Sequence, residues 1–342
     1  MTSDLRIVLA TDKSGYMAPI IPALTRTGAQ IVAHIAPPRT WRKTHRGDWR
    51  FGPVLARHAP ACQTLPFTGA QDWPQIIDQL DRLGPDLIVS AYFGARIPQA
   101  VLALARLGGV NLHPARLPWY AGAAPLHTML LDGTPDRFGG MTLHVVAEAF
   151  DAGPIIGAAT LSPDAWTGPA RLNAALAGAG EALCAGPLQD WIAGRITPRE
   201  QIDGVFPRAM LKDLGAIVPS EMTVDKVQML LRFFRKGLPV ATPDGPQMAG
   251  RLLRRLGPAT QEPPQSLWPR RLRFDCADGR VETRHPLPLE RSIYKATGRV
   301  PTSRPIGDPI APEQMLDADQ NADCIARMAA CSPFAPGPTR SS

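Results

Sequence analysis

Short, mostly apolar runs alternate with amphipathic segments along the first half of the chain. The runs RIVLAT, QIVAHI and DLIVSAYF have the apolar continuity of strands that are buried on both faces. Between and after them lie YMAPIIPALTRTG, DWPQIIDQLDRLGP and IPQAVLALARLGG, whose apolar residues recur at helical spacing. The alternation predicts an α/β fold with an open, mostly parallel sheet covered by helices on both sides.

The pattern changes after the next apolar run, VNLH. MTLHVVAEAFDAGPIIGAAT predicts two extended segments around a turn at Asp151-Ala152-Gly153-Pro154. A long amphipathic helix is expected over residues 168–193, with a kink at Pro187. These elements would complete a catalytic domain over residues 1–198.

Composition shifts around residues 199–220, where mixed polar residues and prolines predict a linker. A smaller, divergent C-terminal domain is expected over 221–330, with an acceptor-binding or accessory role, followed by a disordered tail at 331–342. VDKVQMLLRFFRKG predicts its first helix. RRLRFDCADGRVETRH predicts a hairpin around Asp278-Gly279, so we expect this domain to contain β structure.

Charge and cysteine content narrow the class of protein. The 342 residues carry a net charge of +7, which favours anionic partners or reflects an arginine-rich composition. Five scattered cysteines without a C-x-x-C pair favour neither a disulfide framework nor a zinc site. With no signal-peptide pattern and no membrane-length apolar run, a cytoplasmic protein is expected. No nucleotide-binding glycine motif follows the first strand.

Two polar residues, Asn111 and His113, stand at the end of the run VNLH. Alternation along a strand places both on one face, and the carboxyl ends of parallel strands form the ligand-binding edge. An amide can donate to an oxyanion, and an imidazole can move protons near neutral pH. Asp151, in the later turn, could orient the imidazole. Such a set supports acyl transfer to an amine, although a satisfied strand end and an ordinary Asp turn would give the same pattern.

These motifs resemble those of the folate-dependent formyltransferases. VNLHPARLPWYAGAAP resembles their N-x-H-x-S-L-L-P-x-Y-x-G signature, and TLHVVAEAFDAGPII resembles a second signature that ends in an Asp-x-Gly loop. LIVSAYFGARIPQAVLALARLGGVNLH is similar to the corresponding segment of methionyl-tRNA formyltransferases. The resemblance covers about residues 5–195, is weaker over 205–235 and is close to absent beyond. It implies a Rossmann-like enzyme that uses 10-formyltetrahydrofolate and needs no metal.

The resemblance also implies roles for individual residues. Asn111 would hydrogen-bond the formyl oxygen, His113 would polarise it, and Asp151 would orient His113 and help to remove protons from the attacking amine. Backbone groups of two loops would hold the folate. The cofactor-binding residues expected in these loops are Phe93, Gly94, Ala95, Arg96, Ile97, Val146, Glu148 and Phe150. His144 is interpreted as structural.

The acceptor is less well defined, because ARLP replaces the S-L-L-P of the signature and adds a charge. Acceptor contacts are expected from Arg42, Arg116, Leu117, Tyr120 and Gly122. The basic stretch 37–52 falls where methionyl-tRNA formyltransferases carry a tRNA-binding loop, but it would also suit the diphosphate of a sugar nucleotide. The second domain lacks the Trp-Pro motif of the tRNA enzymes.

We therefore expect a small primary amine as acceptor, such as an amino sugar nucleotide, a hydroxyornithine-like amine or another specialised metabolite. Initiator tRNA is the main alternative. A formyltetrahydrofolate hydrolase and a non-catalytic folate- or RNA-binding protein are the others. The oligomeric state is not predicted.

Overall fold

A computed structural model describes residues 5–11, 17–26, 28–36, 48–202, 216–234, 237–243, 245–267 and 270–284. Seven strands form one sheet in the order β3-β2-β1-β4-β5-β6-β7. The first five strands in this order run parallel to one another. Strand β6 is antiparallel to both of its neighbours, β5 and β7. Their bounds are β1 Arg6–Thr11, β2 Gln30–Ala36, β3 Gln63–Pro66, β4 Leu87–Ala91, β5 Gly109–His113, β6 Gly140–Val145 and β7 Ile155–Thr160.

Helices cover both faces of this sheet, which confirms the predicted α/β fold. Side chains of β1 alternate between two apolar cores, with Ile7 and Leu9 in one and Val8 and Ala10 in the other. The helices described are α1 Ile20–Thr25, α2 Asp48–His58, α3 Trp73–Leu83, α4 Gln99–Leu102, α5 Pro125–Asp132, α6 Pro135–Phe138, α7 Pro169–Ala185, α8 Pro187–Ile192 and α9 Val224–Phe233. Short 3-10 turns occur at Ala70–Asp72, Pro163–Thr167 and Pro219–Glu221.

Four local predictions need correction. Strand β3 was not predicted, since four residues at a sheet edge carry little pattern. The helix expected over 168–193 divides at Gly186 into α7 and α8 rather than kinking, because Gly186 leaves the helical conformation before Pro187 starts a new helix. The basic stretch 37–52 does not end as a loop, because α2 already begins at Asp48.

The fourth correction concerns the segment IPQAVLALARLGG, which forms a single helical turn, α4. After Leu102 the backbone forms turns with hydrogen bonds between residues three apart rather than four. The amide of Ala105 donates to the carbonyl of Leu102 at 3.2 Å, and the amide of Gly108 donates to the carbonyl of Ala105 at 2.8 Å. The amide of Leu107 then donates to the carbonyl of Asp86, just before β4. The chain must leave the helix to reach β5, so tertiary pairing overrides the helical pattern.

The second half contains the expected β structure. Strands β8 Leu238–Val240 and β9 Gln247–Ala249 pair with each other. A four-stranded antiparallel sheet has the order β10-β13-β12-β11. It comprises β10 Leu252–Gly257, β11 Gln265–Leu267, β12 Arg271–Cys276 and β13 Gly279–Arg284. The predicted hairpin is confirmed as β12 and β13, which turn at Ala277 and Asp278.

Helix α9 packs its buried residues Val224, Val227 and Leu230 into the same apolar core as β1, β5 and α7. Two residues of the predicted linker form isolated β-bridges: Arg199 with Ile155, and Ile217 with Val240. Residues 203–215 and the predicted tail 331–342 lie outside the described residues, so the domain boundaries remain predictions. None of the described helices is long and apolar enough to cross a membrane.

Candidate active site

Asn111 lies on β5 between two strands that carry polar side chains. It is in register with Ser90 of the parallel strand β4 and with His144 of the antiparallel strand β6. Directly opposed residues in a sheet point to the same face. The amide Nδ2 of Asn111 accordingly lies 3.1 Å from Nε2 of His144. His113 follows two residues later at the end of β5 and is buried.

The turn between β6 and β7 brings Asp151 to the same place. Asp151 has a φ of 56°, in the left-handed region that Asp tolerates better than most residues. The side-chain amide of Gln201 donates to the carbonyls of Asp151 and Gly153, at 2.8 Å each. An added Cβ at Gly153 would lie 1.9 Å from the carbonyl oxygen of Val145, so the turn has room only for glycine. Gln201 is a supporting residue that the sequence did not indicate.

The loop after β5 folds back over the imidazole of His113. Nε2 of His113 lies 3.0 Å from the carbonyl oxygen of Tyr120, and Nδ1 lies 3.4 Å from Oδ1 of Asp151. The backbone amide of Gly122 donates to Oδ2 of Asp151 at 2.8 Å. Both ring nitrogens of His113 thus face acceptors, and only a doubly protonated imidazole can donate to both.

Asp151 is the anionic member of this group. Burial alone would raise its pKa, but the hydrogen bond from His113, the electrostatic interactions with the His113 and His144 rings and the amide of Gly122 together hold its pKa below the ordinary value. The carboxyl group is therefore ionised at neutral pH, where it can orient and balance an imidazolium.

His144 has a role that the sequence did not reveal. Burial, and next the charge of His113, lower the pKa of His144 to about 4. Its ring is therefore neutral at neutral pH. Nδ1 lies 2.9 Å from the carbonyl oxygen of Val145 and must carry the proton, which leaves Nε2 to accept from Asn111. The interpretation of His144 as structural stays a prediction, and the hydrogen bond from Asn111 shows what this side chain holds in place. Only the register of β5 against β6 could have shown this.

A cleft opens beside these residues, with about 80 Å³ of space for solvent. Its walls include seven of the eight residues predicted to bind cofactor, and Gly94 lies between two of them in the chain. Arg96 is part of the cleft wall, and its Nη2 donates to the carbonyl oxygen of Glu148 at 2.7 Å. The lining residues are Ser90, Phe93, Ala95, Arg96, Ile97, Asn111, His144, Val146, Ala147, Glu148, Ala149, Phe150 and Asp151.

Of the residues predicted to contact the acceptor, four lie in the loop that covers His113. Leu117 is buried and donates its amide to the hydroxyl of Thr142 at 3.1 Å. The Tyr120 ring is also buried, and its hydroxyl donates to Asp132 at 3.0 Å. Gly122 holds Asp151, and Arg116 is almost wholly buried. These contacts hold the loop in place over His113, and contact with an acceptor stays a prediction. Arg42 lies outside the described residues.

The described residues contain no group of three His, Cys, Asp or Glu side chains arranged to hold a metal ion. The group at the end of β5 and in the turn between β6 and β7 combines an amide donor, an imidazole and a carboxylate. Comparison with known proteins fits this arrangement. Residues 6–182 match the profile of the family described as formyl transferase.

The chain belongs to the formyl transferase family. This confirms the resemblance seen in its motifs and the formyltransferase fold expected from it. A methionyl-tRNA formyltransferase from Syntrophus aciditrophicus (strain SB) is 34% identical over 143 residues, which cover 41% of this chain and 44% of that protein. The chain spans less than half the length of the curated relatives it matches.

Solved structures share the fold at low identity. An N-formyltransferase from Helicobacter canadensis, in complex with folinic acid and dTDP-3-aminofucose, has a TM-score of 0.54 and 14% identity, covering 84% of this chain and all of that one. HypX from Aquifex aeolicus, in complex with tetrahydrofolic acid, has a TM-score of 0.52 and 15% identity, covering 82% of this chain and 43% of that one.

Proposed function

We propose that this formyl transferase moves the formyl group of 10-formyltetrahydrofolate to the primary amine of a small-molecule acceptor. The observation that carries this proposal is the group formed by Asn111, His113 and Asp151, in which the amide is held by His144 and the imidazole by Asp151 and the carbonyl of Tyr120. No Ser or Cys nucleophile is needed, because the amine of the acceptor attacks the formyl carbon itself.

Each residue of this group has a separate role in the proposed transfer. His144 holds one N–H of the Asn111 amide, so the second N–H is available to donate to an oxyanion in the cleft. His113 lies two residues further along the same strand face, where its imidazole can move a proton during the transfer. Asp151 lines the cleft, balances His113 and is the nearest carboxylate to receive a proton from the amine.

The cleft fits a folate by the chemistry of its walls. Loops 93–97 and 146–150 present backbone groups together with the apolar side chains of Ile97 and Val146. The ring of Phe150 is 57% exposed and offers a stacking surface for a flat heterocycle. When bound, the folate supplies the formyl group at the oxidation level needed for transfer. Its position would be set by Asn111 on one side and by these loops on the other.

The acceptor proposal rests on the altered loop after His113 and on the C-terminal half. ARLP replaces the family sequence at residues 115–118, and Arg116 replaces an apolar residue there. The described C-terminal residues form a two-stranded and a four-stranded antiparallel sheet, and this half lacks the Trp-Pro motif of the tRNA enzymes. The altered loop and the missing motif favour a small amine, such as an amino sugar nucleotide, over a charged tRNA.

The direct test is release of tetrahydrofolate. Purified protein is incubated with 10-formyltetrahydrofolate and a panel of primary amines that includes amino sugar nucleotides, hydroxyornithine and amino acids. We expect release with at least one of these amines and formylated product in equal amount. Absence of release with every amine and with charged initiator tRNA would refute formyl transfer.

Methionyl-tRNA is the second candidate acceptor, favoured by the identity to methionyl-tRNA formyltransferases and by the basic stretch 37–52. Contacts to several phosphates make tRNA binding fall steeply with salt. If initiator tRNA is the acceptor, raising the salt from about 50 to about 200 mM should raise KM by at least about ten-fold, and Arg42→Ala should reduce the salt dependence. An uncharged small amine should show little change in KM over this range.

A further inference from the structure

Arg116 is a buried cation to which the described residues provide no counter-charge. Its exposed fraction is 8%, and its Nη1 donates to the carbonyl oxygen of Arg137 at 3.3 Å. Within the described part of the chain, no carboxylate lies within ion-pair distance of its guanidinium group. Burial lowers the pKa of Arg116, and no neighbouring acid opposes that shift. A guanidinium group has five N–H donors, so most of them remain for another partner.

Arg280 provides a comparison within the same molecule. It is buried to a similar extent, with 6% of its surface exposed, yet its guanidinium faces two carboxylates. Glu262 lies 2.6 Å from Nη2 and Asp275 lies 3.4 Å from Nε. Buried charges in proteins are ordinarily paired in this manner, since removal from water is costly without an opposite charge. Arg116 departs from that rule as far as the described residues go, since its partner among them is the carbonyl oxygen of Arg137.

The side chain of Arg116 lies just beyond His113. Its Cγ packs against Gly140, where an added Cβ would come within 2.6 Å of it. Gly140 precedes Thr142 by two residues, and Thr142 pairs with His113. At about 3.4 Å per residue along a strand, Gly140 lies about 7 Å beyond His113 in the direction of the ligand-binding edge of the sheet. A small molecule whose amine lies near Asp151 could reach this distance.

We propose that Arg116 forms an oxyanion subsite that binds a carboxylate or phosphate group of the acceptor. The proposal rests on the proposed function and narrows the acceptor to an amine that carries an anionic group. The planar fork of a guanidinium binds either oxyanion through two parallel hydrogen bonds. The bound anion would supply the counter-charge that the described residues do not provide.

The test uses Arg116→Met, which keeps the length of the side chain, Arg116→Lys, which keeps the charge, and Arg171→Met as a control on the surface of α7. Acetate and inorganic phosphate serve as probes, and their binding is measured by thermal shift and by competition against formyl transfer. We expect at least one probe to bind the wild type and the control alike, with binding weakened about ten-fold or more in Arg116→Met and partly restored in Arg116→Lys. The probe that loses affinity identifies the group.

A structural role for Arg116 predicts a different result. Arg116→Met would then lower the melting temperature of the free protein, because the bond to Arg137 is lost. Under the proposal the free variant is at least as stable as the wild type, since an uncompensated charge has been removed. Equal binding of both probes by wild type and Arg116→Met overturns the subsite. Tetrahydrofolate release by the wild type is scored separately, so failure of formyl transfer is distinguishable from failure of the subsite.

Discussion

Asp151 connects the charged parts of the candidate site, because its carboxylate meets His113, His144 and the amide of Gly122. Oδ1 of Asp151 lies 3.4 Å from Nδ1 of His113 and 3.7 Å from Nε2 of His144, so one carboxylate oxygen lies close to both rings. The local sequence explains the position: a left-handed Asp at a turn whose next glycine cannot be replaced without a clash.

Asp151→Asn should reduce turnover by about 10²- to 10⁴-fold, the range for a group that handles protons in the transition state. The substitution keeps the shape of the side chain but removes the charge that balances His113. Steady-state release of tetrahydrofolate measures the effect. Asp190→Asn, which breaks the surface pair with Arg195, is the matched control and should keep wild-type turnover. Similar activity of both variants would contradict the role of Asp151.

His144 gives a prediction about pH. Its pKa is about 4 in the folded protein and 6.5 in an unfolded chain. The unfolded state therefore takes up the proton first as the pH falls, and folding stability is lost between pH 6.5 and pH 4. The full loss amounts to about 3 kcal/mol. His144→Gln, which can still accept from Asn111, should show a correspondingly flatter decline in urea unfolding over this range. An unchanged decline would show that protonation of His144 is not the cause of the loss of stability.

At the level of elements, the turn between β6 and β7 determines the geometry of the site. Gly153→Ala places a methyl group against the backbone of Val145, which cannot yield as a flexible side chain would. We expect a loss of unfolding free energy on the order of 2 kcal/mol, together with reduced turnover because Asp151 moves. Chemical denaturation and tetrahydrofolate release report the two effects.

Gly178→Ala is the matched control for that substitution. Gly178 lies exposed in α7, and nothing is within 4 Å of its added Cβ. Alanine should stabilise the helix by about 0.5–1 kcal/mol and leave turnover unchanged. If both glycine variants change stability in the same direction, the steric explanation for Gly153 is wrong.

Much of the site could be predicted because its residues stand in patterned elements. Asn111 and His113 end an apolar strand, and Asp151 stands in a turn with strong local signals, so their approach follows from the sheet. His144 and Gln201 could not be predicted. The first acts through antiparallel register, and the second reaches Asp151 across 50 positions of the chain. The short β3 and the single turn of α4 escaped prediction because pairing with neighbouring strands determined them.

For the whole molecule, α9 joins the C-terminal half to the catalytic sheet. Leu230 is fully buried in the same apolar core as residues of β1 and α7, and Arg232 donates to the carbonyl of Thr167 at 3.3 Å. The ring of His127 in α5 also contacts Phe234, with ring centroids 5.0 Å apart. The described parts of the two halves therefore share one core.

Leu230→Ala in the full chain should cost about 2–5 kcal/mol of unfolding free energy, the range for a large buried aliphatic side chain. Because the core is shared, we expect the thermal unfolding of the catalytic half to move to lower temperature with it. Calorimetry measures this, and Leu253→Ala, at a 44% exposed position of β10, is the control with little expected change. An unaltered main transition in Leu230→Ala would show that the halves unfold independently.

The sequence by itself determined the α/β class, the family, the strand end that bears Asn111 and His113, and the turn that bears Asp151. These depend on local period, turn chemistry and motif order, which are written along the chain. The tertiary structure alone decided that His144 is neutral and orients Asn111, that both nitrogens of His113 face acceptors, and that no carboxylate of the described residues pairs with the buried Arg116. Burial, strand register and the distances between charges depend on residues that are far apart in the chain. A local sequence pattern therefore cannot show them.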